Sequence, residues 1–219
     1  MAEAPPPTTA VEICNLALAR LGQTIQVTDI VTPVGKPAIL CSQFYPVVRR
    51  KLLRGPRVFN FAKERAQITV DATVTPAFGF ASAFRLPNDH LRFLTLGDID
   101  EKDPRLTGLY QIRGRHIFTD ETDADDTLNL SYIKDVTTVG LWDALFVDLC
   151  YLELAKALAG PLTLKSSLVK DLDAELRDIR LEAGAVSGQE NPPIRITRSS
   201  WIASRRMGGN FRDPTKHSI

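Results

Sequence analysis

The apolar repeat of this chain changes period twice, and that constrains its fold more than any other feature. Up to Gly55 the apolar residues recur at helical spacing: Ile13, Leu16, Ala17 and Leu21, then Ile39, Leu40, Phe44, Val47, Val48, Leu52 and Leu53. From Arg57 to Val139 the repeat shortens. Gln67 to Val70 and Arg92 to Leu96 read as strands. Tyr110 to Ile112 and His116 to Phe118 flank Arg113-Gly114-Arg115, a hairpin signal with glycine available for positive φ. Thr127 to Ile133 alternates cleanly, as a half-buried antiparallel strand does. Helical spacing returns from about Leu141 to Ala159 and from about Ser167 to Ala183, with Leu168, Leu172, Leu176 and Ile179 on one stripe. The pattern predicts an α+β protein: a predominantly helical bundle from residues 9–55 and 141–185, an inserted antiparallel β domain at 57–139, and an extended C-terminal arm at 188–219.

Local signals set the expected helix ends. Thr9-Ala10-Val11-Glu12 fits a capping box, and Gly22 fits the residue just past the first helix. Pro37 suits the first turn of a second helix, and Gly55-Pro56 stops it. Pro46 removes one ladder bond and is expected to kink or split that helix. Gly160-Pro161 is expected to end the third helix, and Gly184 and Gly188 to close the last.

Composition narrows the function classes. The chain has 219 residues, 44% hydrophobic and 24% charged, with net charge +1, so as a whole it has no strong pull on nucleic acid or membrane. The charge is segregated. Residues 188–219 hold six bases and two acids, a balance of +4 that leaves −3 for the rest. Cys14, Cys41 and Cys150 all lie in apolar helical patterns and read as buried free thiols of a reducing compartment. Met-Ala-Glu-Ala-Pro-Pro-Pro has neither the basic nor the apolar region of a secretory signal. The most apolar window, Leu141 to Ala159, carries Asp143, Asp148, Glu153 and Lys156, too many charges for a membrane span.

The densest signal concerns packing. Pro76-Ala77-Phe78-Gly79-Phe80-Ala81-Ser82-Ala83-Phe84-Arg85-Leu86-Pro87 places three of ten phenylalanines within seven residues, among very small neighbours and without an acid, histidine or cysteine. Phe78, Phe80 and Phe84 are expected to lock the β region onto the bundle. Two acidic loops, Asp98, Asp100, Glu101 and Asp103, then Asp120, Glu121, Asp123, Asp125 and Asp126, lack the alternating ligands and glycine of a calcium loop and read as solvated turns. His90, His116 and His217 do not pair at ligand spacing, and no nucleophile elbow, Walker loop or dinucleotide fingerprint is present. No catalytic residue, metal or cofactor is expected.

Two basic features point to partners. Arg49, Arg50, Lys51, Arg54 and Arg57 put five bases in nine residues at the end of the second helix. They complement its macrodipole there, and equally suit a surface facing a partner or a channel. The tail from Ile194 to Arg206 mixes arginines with Trp201 and Ile202, residue types typical of binding hot spots.

These blocks are similar to a known family. Glu12-Ile13-Cys14-Asn15-Leu16-Ala17-Leu18-Ala19-Arg20-Leu21-Gly22, Phe44-Tyr45 with Val48-Arg49 and Leu52-Leu53-Arg54, Phe59-Asn60-Phe61-Ala62, the Pro76–Pro87 block with Leu91-Arg92, and Leu145-Phe146-Val147 with Leu154-Ala155 resemble the tail tubular protein A family. These are head–tail adaptor proteins of short-tailed bacteriophages. The resemblance spans about Val11 to Ala185, and the chain departs from it at Pro46 and at Arg57-Val58. It implies a non-enzymatic structural virion protein, assembled in the host cytoplasm. Such a protein forms a dodecameric ring under the portal, extends the DNA channel and carries the tail nozzle, a tail tubular protein B-like partner. Arg198, Trp201, Ile202, Arg205 and Arg206 would then dock on the portal, while Arg49 to Arg57 would face a partner or the channel. Genomic DNA would pass through the lumen, and no membrane is involved. The alternative reading is a nucleic-acid-binding module that uses the basic arm; a hydrolase built on the acidic loops stands behind both.

Overall fold

A computed structural model describes residues 6–97, 99–100, 108–122, 125–163 and 166–190. Among these residues, four helices and seven strands follow one another as α1 (Ala10–Arg20), α2 (Lys36–Arg54), β1 (Lys63–Thr69), β2 (Ser82–Arg85), β3 (His90–Leu96), β4 (Ile99–Asp100), β5 (Tyr110–Arg113), β6 (His116–Thr119), β7 (Thr127–Lys134), α3 (Ala144–Thr163) and α4 (Ser166–Glu190). The chain is therefore α+β, and every strand among the described residues is antiparallel and lies between α2 and α3 in sequence. One sheet has the order β1-β7-β3-β4 and the other β2-β6-β5. Among the described residues no helix is long and apolar enough to cross a membrane.

The start of α1 follows the expected chemistry. Glu12 N–H donates to Thr9 Oγ1, and the Glu12 carboxylate accepts from Thr9 N–H at 3.0 Å, completing the capping box. Gly22 takes φ 70° just beyond the helix end. The Asn15 side chain then exchanges two hydrogen bonds with the Val27 backbone, at 3.0 and 2.8 Å, fixing the loop that leads to α2.

Three expected breaks do not occur. α2 runs unbroken through Pro46. α3 continues over Gly160-Pro161 to Thr163, whose hydroxyl donates to the Ala159 carbonyl at 2.9 Å, while Lys36 Nζ donates to the Pro161 carbonyl at 2.9 Å. α4 passes Gly184 and Gly188. A proline costs one ladder bond and a glycine about 1 kcal/mol of propensity, and packing of an apolar stripe outweighs either. α3 also begins three residues later than expected. Val139–Leu141 form a 3₁₀ turn, and the Asp143 carboxylate accepts from Leu145 N–H at 2.8 Å where the helix starts.

Two hydrophobic cores result. The first packs α1 to α4 around Phe146, which meets Phe59, Phe61 and Trp142 edge-on at centroid distances of 4.8, 5.1 and 4.8 Å. The second lies between the sheets, around Phe84, Phe93, Ile117, Leu128, Leu130 and Tyr132. β7 serves both: Leu128, Leu130 and Tyr132 face the sheet core, while Ile133 faces the helical one. β3 does so by bulging. Its register against β7 runs His90↔Lys134, Arg92↔Ile133, Phe93↔Tyr132, Thr95↔Ser131, so Leu91 and Leu94 have no partner across the strand. Both extra residues pack on the helical core, while Phe93 and Leu96 stay in the sheet core.

The Pro76–Pro87 block divides accordingly. Phe84, on the unforeseen strand β2, is fully buried, but in the sheet core and not against the helices. Phe80 is half-buried, and Phe78 is 78% exposed. Both line an open recess of about 200 Å³ with Pro76, Arg113 and Phe118. The expectation that these three rings clamp the β region to the bundle is corrected: Leu91, Leu94 and Ile133 make that junction. Gly79 at φ 93° turns the chain so that Phe78 projects outward before β2 begins. We predict that Phe84→Ala lowers unfolding free energy by about 3–5 kcal/mol, whereas Phe78→Ala changes it by less than about 0.5 kcal/mol. Urea denaturation of the two variants checks this; equal losses would contradict the division.

Candidate partner surface at the end of the second helix

The cluster Arg49, Arg50, Lys51, Arg54 and Arg57 occupies the last two turns of α2 and the turn beyond it. The structure separates its members. Arg49 is not on the surface: its side chain is 8% exposed, and it forms a two-point pair with Asp135 (8% against 9% exposure), Nε to Oδ1 and Nη2 to Oδ2, both 2.9 Å. Its guanidinium also lies over the Tyr45 ring, 5.6 Å from the centroid. The assignment of Arg49 to a partner or channel surface is thereby corrected. The reason is helical spacing: Cys41, Tyr45 and Arg49 follow at intervals of four on the buried stripe.

Three of the remaining bases, Arg50, Lys51 and Arg54, reach outward. Arg50 Nε donates to the second Asp135 oxygen at 2.8 Å while most of its side chain remains exposed. Lys51 is exposed, with Nζ 3.7 Å from Glu153, a buried carboxylate of α3 that also accepts from Arg180 of α4. Arg54 is exposed. Arg57 is partly buried, and its Nη1 atom is shielded from solvent with no hydrogen-bond partner among the described residues. Burial, then the neighbouring Arg180 cation, pulls the Arg57 pKa below its usual value. Arg92 of β3 closes the helix end by donating to the Gly55 carbonyl.

Asp135 and Glu153 complete this site and were not singled out in the sequence as site residues. Glu153 lies on the α3 stripe with Phe146, Leu149, Cys150 and Leu154, so its position signals burial, and a buried carboxylate implies a basic partner. Asp135 follows β7 in the connection to α3, where no periodicity marks it.

A second polar group sits beside the first. Asp89 accepts from the Tyr132 hydroxyl at 3.1 Å and lies 3.6 Å from Lys134 Nζ. Burial, then this carboxylate, raises the Tyr132 pKa. His90 stacks near Tyr132 at 5.7 Å, and its Nε2 is buried without a partner among the described residues. Burial, followed by the Arg115 and Arg54 cations, lowers its pKa below the usual histidine value. His116 lies 3.0 Å from Asp71 Oδ2, a link that holds the β1–β2 connection to β6. Among the described residues no three His, Cys, Asp or Glu side chains converge as metal ligands. The three cysteines are buried and free; burial pushes Cys150 up to about 12. The arm residues Arg198, Trp201, Ile202, Arg205 and Arg206 lie outside the described residues, as do Asp98, Glu101, Asp103 and Asp123 of the acidic loops and His217.

The arrangement is a rigid cationic end on α2, held by buried carboxylates. Neither a protein-family model nor a curated protein matches this chain.

Burial opposes ionisation of Asp135, but hydrogen bonds from Arg49 and Arg50 outweigh it, so its pKa falls below the usual 3.8. A carboxylate depressed in the folded state contributes stability that is complete above its unfolded pKa and lost as pH falls through the folded one. We predict that Asp135→Ala removes about 3–5 kcal/mol near neutral pH, because it strands a buried guanidinium. It should also flatten the fall in stability below about pH 4. Denaturant titrations from pH 2.5 to 7 check both; an unaltered pH profile would contradict the assignment.

Proposed function

We propose that this chain is a structural subunit of a phage head–tail junction: an adaptor that assembles as a closed ring beneath a portal and carries the tail nozzle. The observation that carries the reading is the cationic end of α2, a largely exposed surface held in place by the buried carboxylates Asp135 and Glu153. The similarity of Val11 to Ala185 to the tail tubular protein A family supplies the biological setting. In this reading the four helices form the ring wall as a bundle, the strands between α2 and α3 act as an inserted β domain, and residues 188–219 form the arm. Twelve copies make the ring, as in that family.

Outward apolar side chains support a wall of repeated subunits. On α2, Ala38, Cys41, Tyr45 and Val48 are buried while Ile39 and Val47 are exposed, and Val31 and Val34 stand exposed in the preceding loop. A subunit in a heterologous ring needs such a second face to cover with its neighbour. Arg50, Lys51, Arg54 and Arg57 face a partner or the lumen, and Arg198, Trp201, Ile202, Arg205 and Arg206 dock on the portal. DNA passes without catalysis through a wall whose net charge of +1 per chain holds phosphate weakly.

Truncation after Asn191 tests the arm. Co-sedimentation with portal rings is expected for the full chain and lost for the truncated one. Undiminished portal binding by the truncated chain would contradict the docking role. The second reading, a nucleic-acid-binding module, is supported by the +4 balance of residues 188–219. It predicts salt-dependent affinity for free DNA that disappears with the same truncation.

A further inference from the structure

We infer that the recess between Phe78, Phe80 and Phe118 binds an unpaired nucleotide of single-stranded DNA or RNA: the rings stack on its base, and Arg113 with Arg85 holds its phosphate. The site shares no residue with the α2 surface, and it stands or falls independently of the ring.

Strand alternation builds one wall. On β6, Ile117 is buried in the sheet core, so Phe118 and His116 fall on the opposite face. Across the sheet, Phe118 is paired with Gln111 of β5 and with Ala83 of β2, and His116 with Arg113 and Arg85. A rung with an aromatic ring and an amide therefore lies roughly 7 Å from a rung with two guanidinium groups. Arg85 and Arg113 are both exposed. The Arg113 guanidinium lies over the Phe118 ring, 5.9 Å from its centroid. Phe78, Phe80 and Thr75, from the loop before β2, complete the lining.

That loop is tied down at both ends. Asp71 N–H donates to the Ala83 carbonyl at 2.8 Å, and Val74 N–H to the Asp71 carbonyl at 3.1 Å. At the far end Ala81 N–H donates to Asp120 Oδ1 at 2.6 Å. Rings presented by a fixed loop need not be ordered when a ligand arrives, which lowers the cost of binding.

Size and chemistry select the ligand. Sites for drug-sized molecules enclose about 300–1,000 Å³. A recess of about 200 Å³ is smaller and suits a single flat ring system. Phenylalanine faces and a guanidinium plane stack on any nucleobase. The Gln111 amide offers a donor and an acceptor to the edge of that base. Among the described residues the lining holds one cation and no acid. Asp71, on this side of the sheet, is already taken up by His116 at 3.0 Å and by the Thr73 N–H and hydroxyl at 3.0 and 2.5 Å. The ligand that uses both the walls and the charge is planar and anionic, as a nucleotide is. In a duplex each base is stacked between its neighbours, so only an unpaired one can enter.

Fluorescence anisotropy of the full-length chain with labelled oligothymidine, oligouridine and duplex DNA of equal length tests the site. The single strands are expected to bind about tenfold more tightly than the duplex. The basic arm can contribute to strand and duplex alike, so the difference between them isolates the recess. Phe78→Ala should weaken single-strand binding about tenfold and leave duplex binding unchanged, while Phe78→Tyr retains it. Arg113→Gln should weaken single-strand binding and reduce its salt dependence by about one phosphate contact. Thermal melting unchanged in each variant separates lost contact from misfolding. Preference for one of the two single strands would support the site and say whether DNA or RNA fills it. Single strands held no tighter than the duplex, or affinity indifferent to both Phe78→Ala and Arg113→Gln, would overturn the site. Occupation by a blocked Asp-Trp-Asp peptide, with neither oligonucleotide bound, would overturn it as well and make this a protein-docking surface.

Discussion

One carboxylate organises the junction of this structure. Asp135 receives two hydrogen bonds from Arg49 and one from Arg50, just where β7 ends and the chain turns toward α3. Burying either charge alone would be severely unfavourable, so the pair holds α2 and the end of β7 in one relative position. The aromatic group beside it repeats the tie. Trp142 Nε1 donates to the Val136 carbonyl at 3.1 Å, and its ring packs on both Tyr45 and Phe146. The exposed cations of α2 are thereby displayed from a fixed base and not from a frayed helix end.

The period of the apolar residues made the element order legible in the sequence. The capping box of α1, the hairpin around Gly114 and the alternation of β7 all have local causes, so local reasoning reached them. What it missed depends on neighbours distant in sequence. Pro46, Pro161, Gly184 and Gly188 are helix breakers by propensity, and packing of the flanking turns carries the helices past them. The bulges at Leu91 and Leu94 are invisible to a period-two reading, because each inserts one residue and reverses the alternation after it. Yet these two leucines join the strands to the helices, a task that the phenylalanine-rich block seemed suited to perform. Aromatic density marked a packing region correctly at Phe84, but could not distinguish the ring turned inward from Phe78 turned out.

The candidate surface was half legible for a related reason. A run of bases shows where charge is concentrated, not which member is neutralised. Arg49 could have been set apart by its place on the Cys41–Tyr45 stripe, and Glu153 by its place on the apolar stripe of α3. Asp135 gave no such sign.

The most direct test of the account is cryo-electron microscopy of virion particles that retain the portal. A closed ring of copies of this chain, with density beneath the portal, is the predicted result. Particles whose head–tail junction lacks this chain, or holds it only as isolated single copies, would contradict the account.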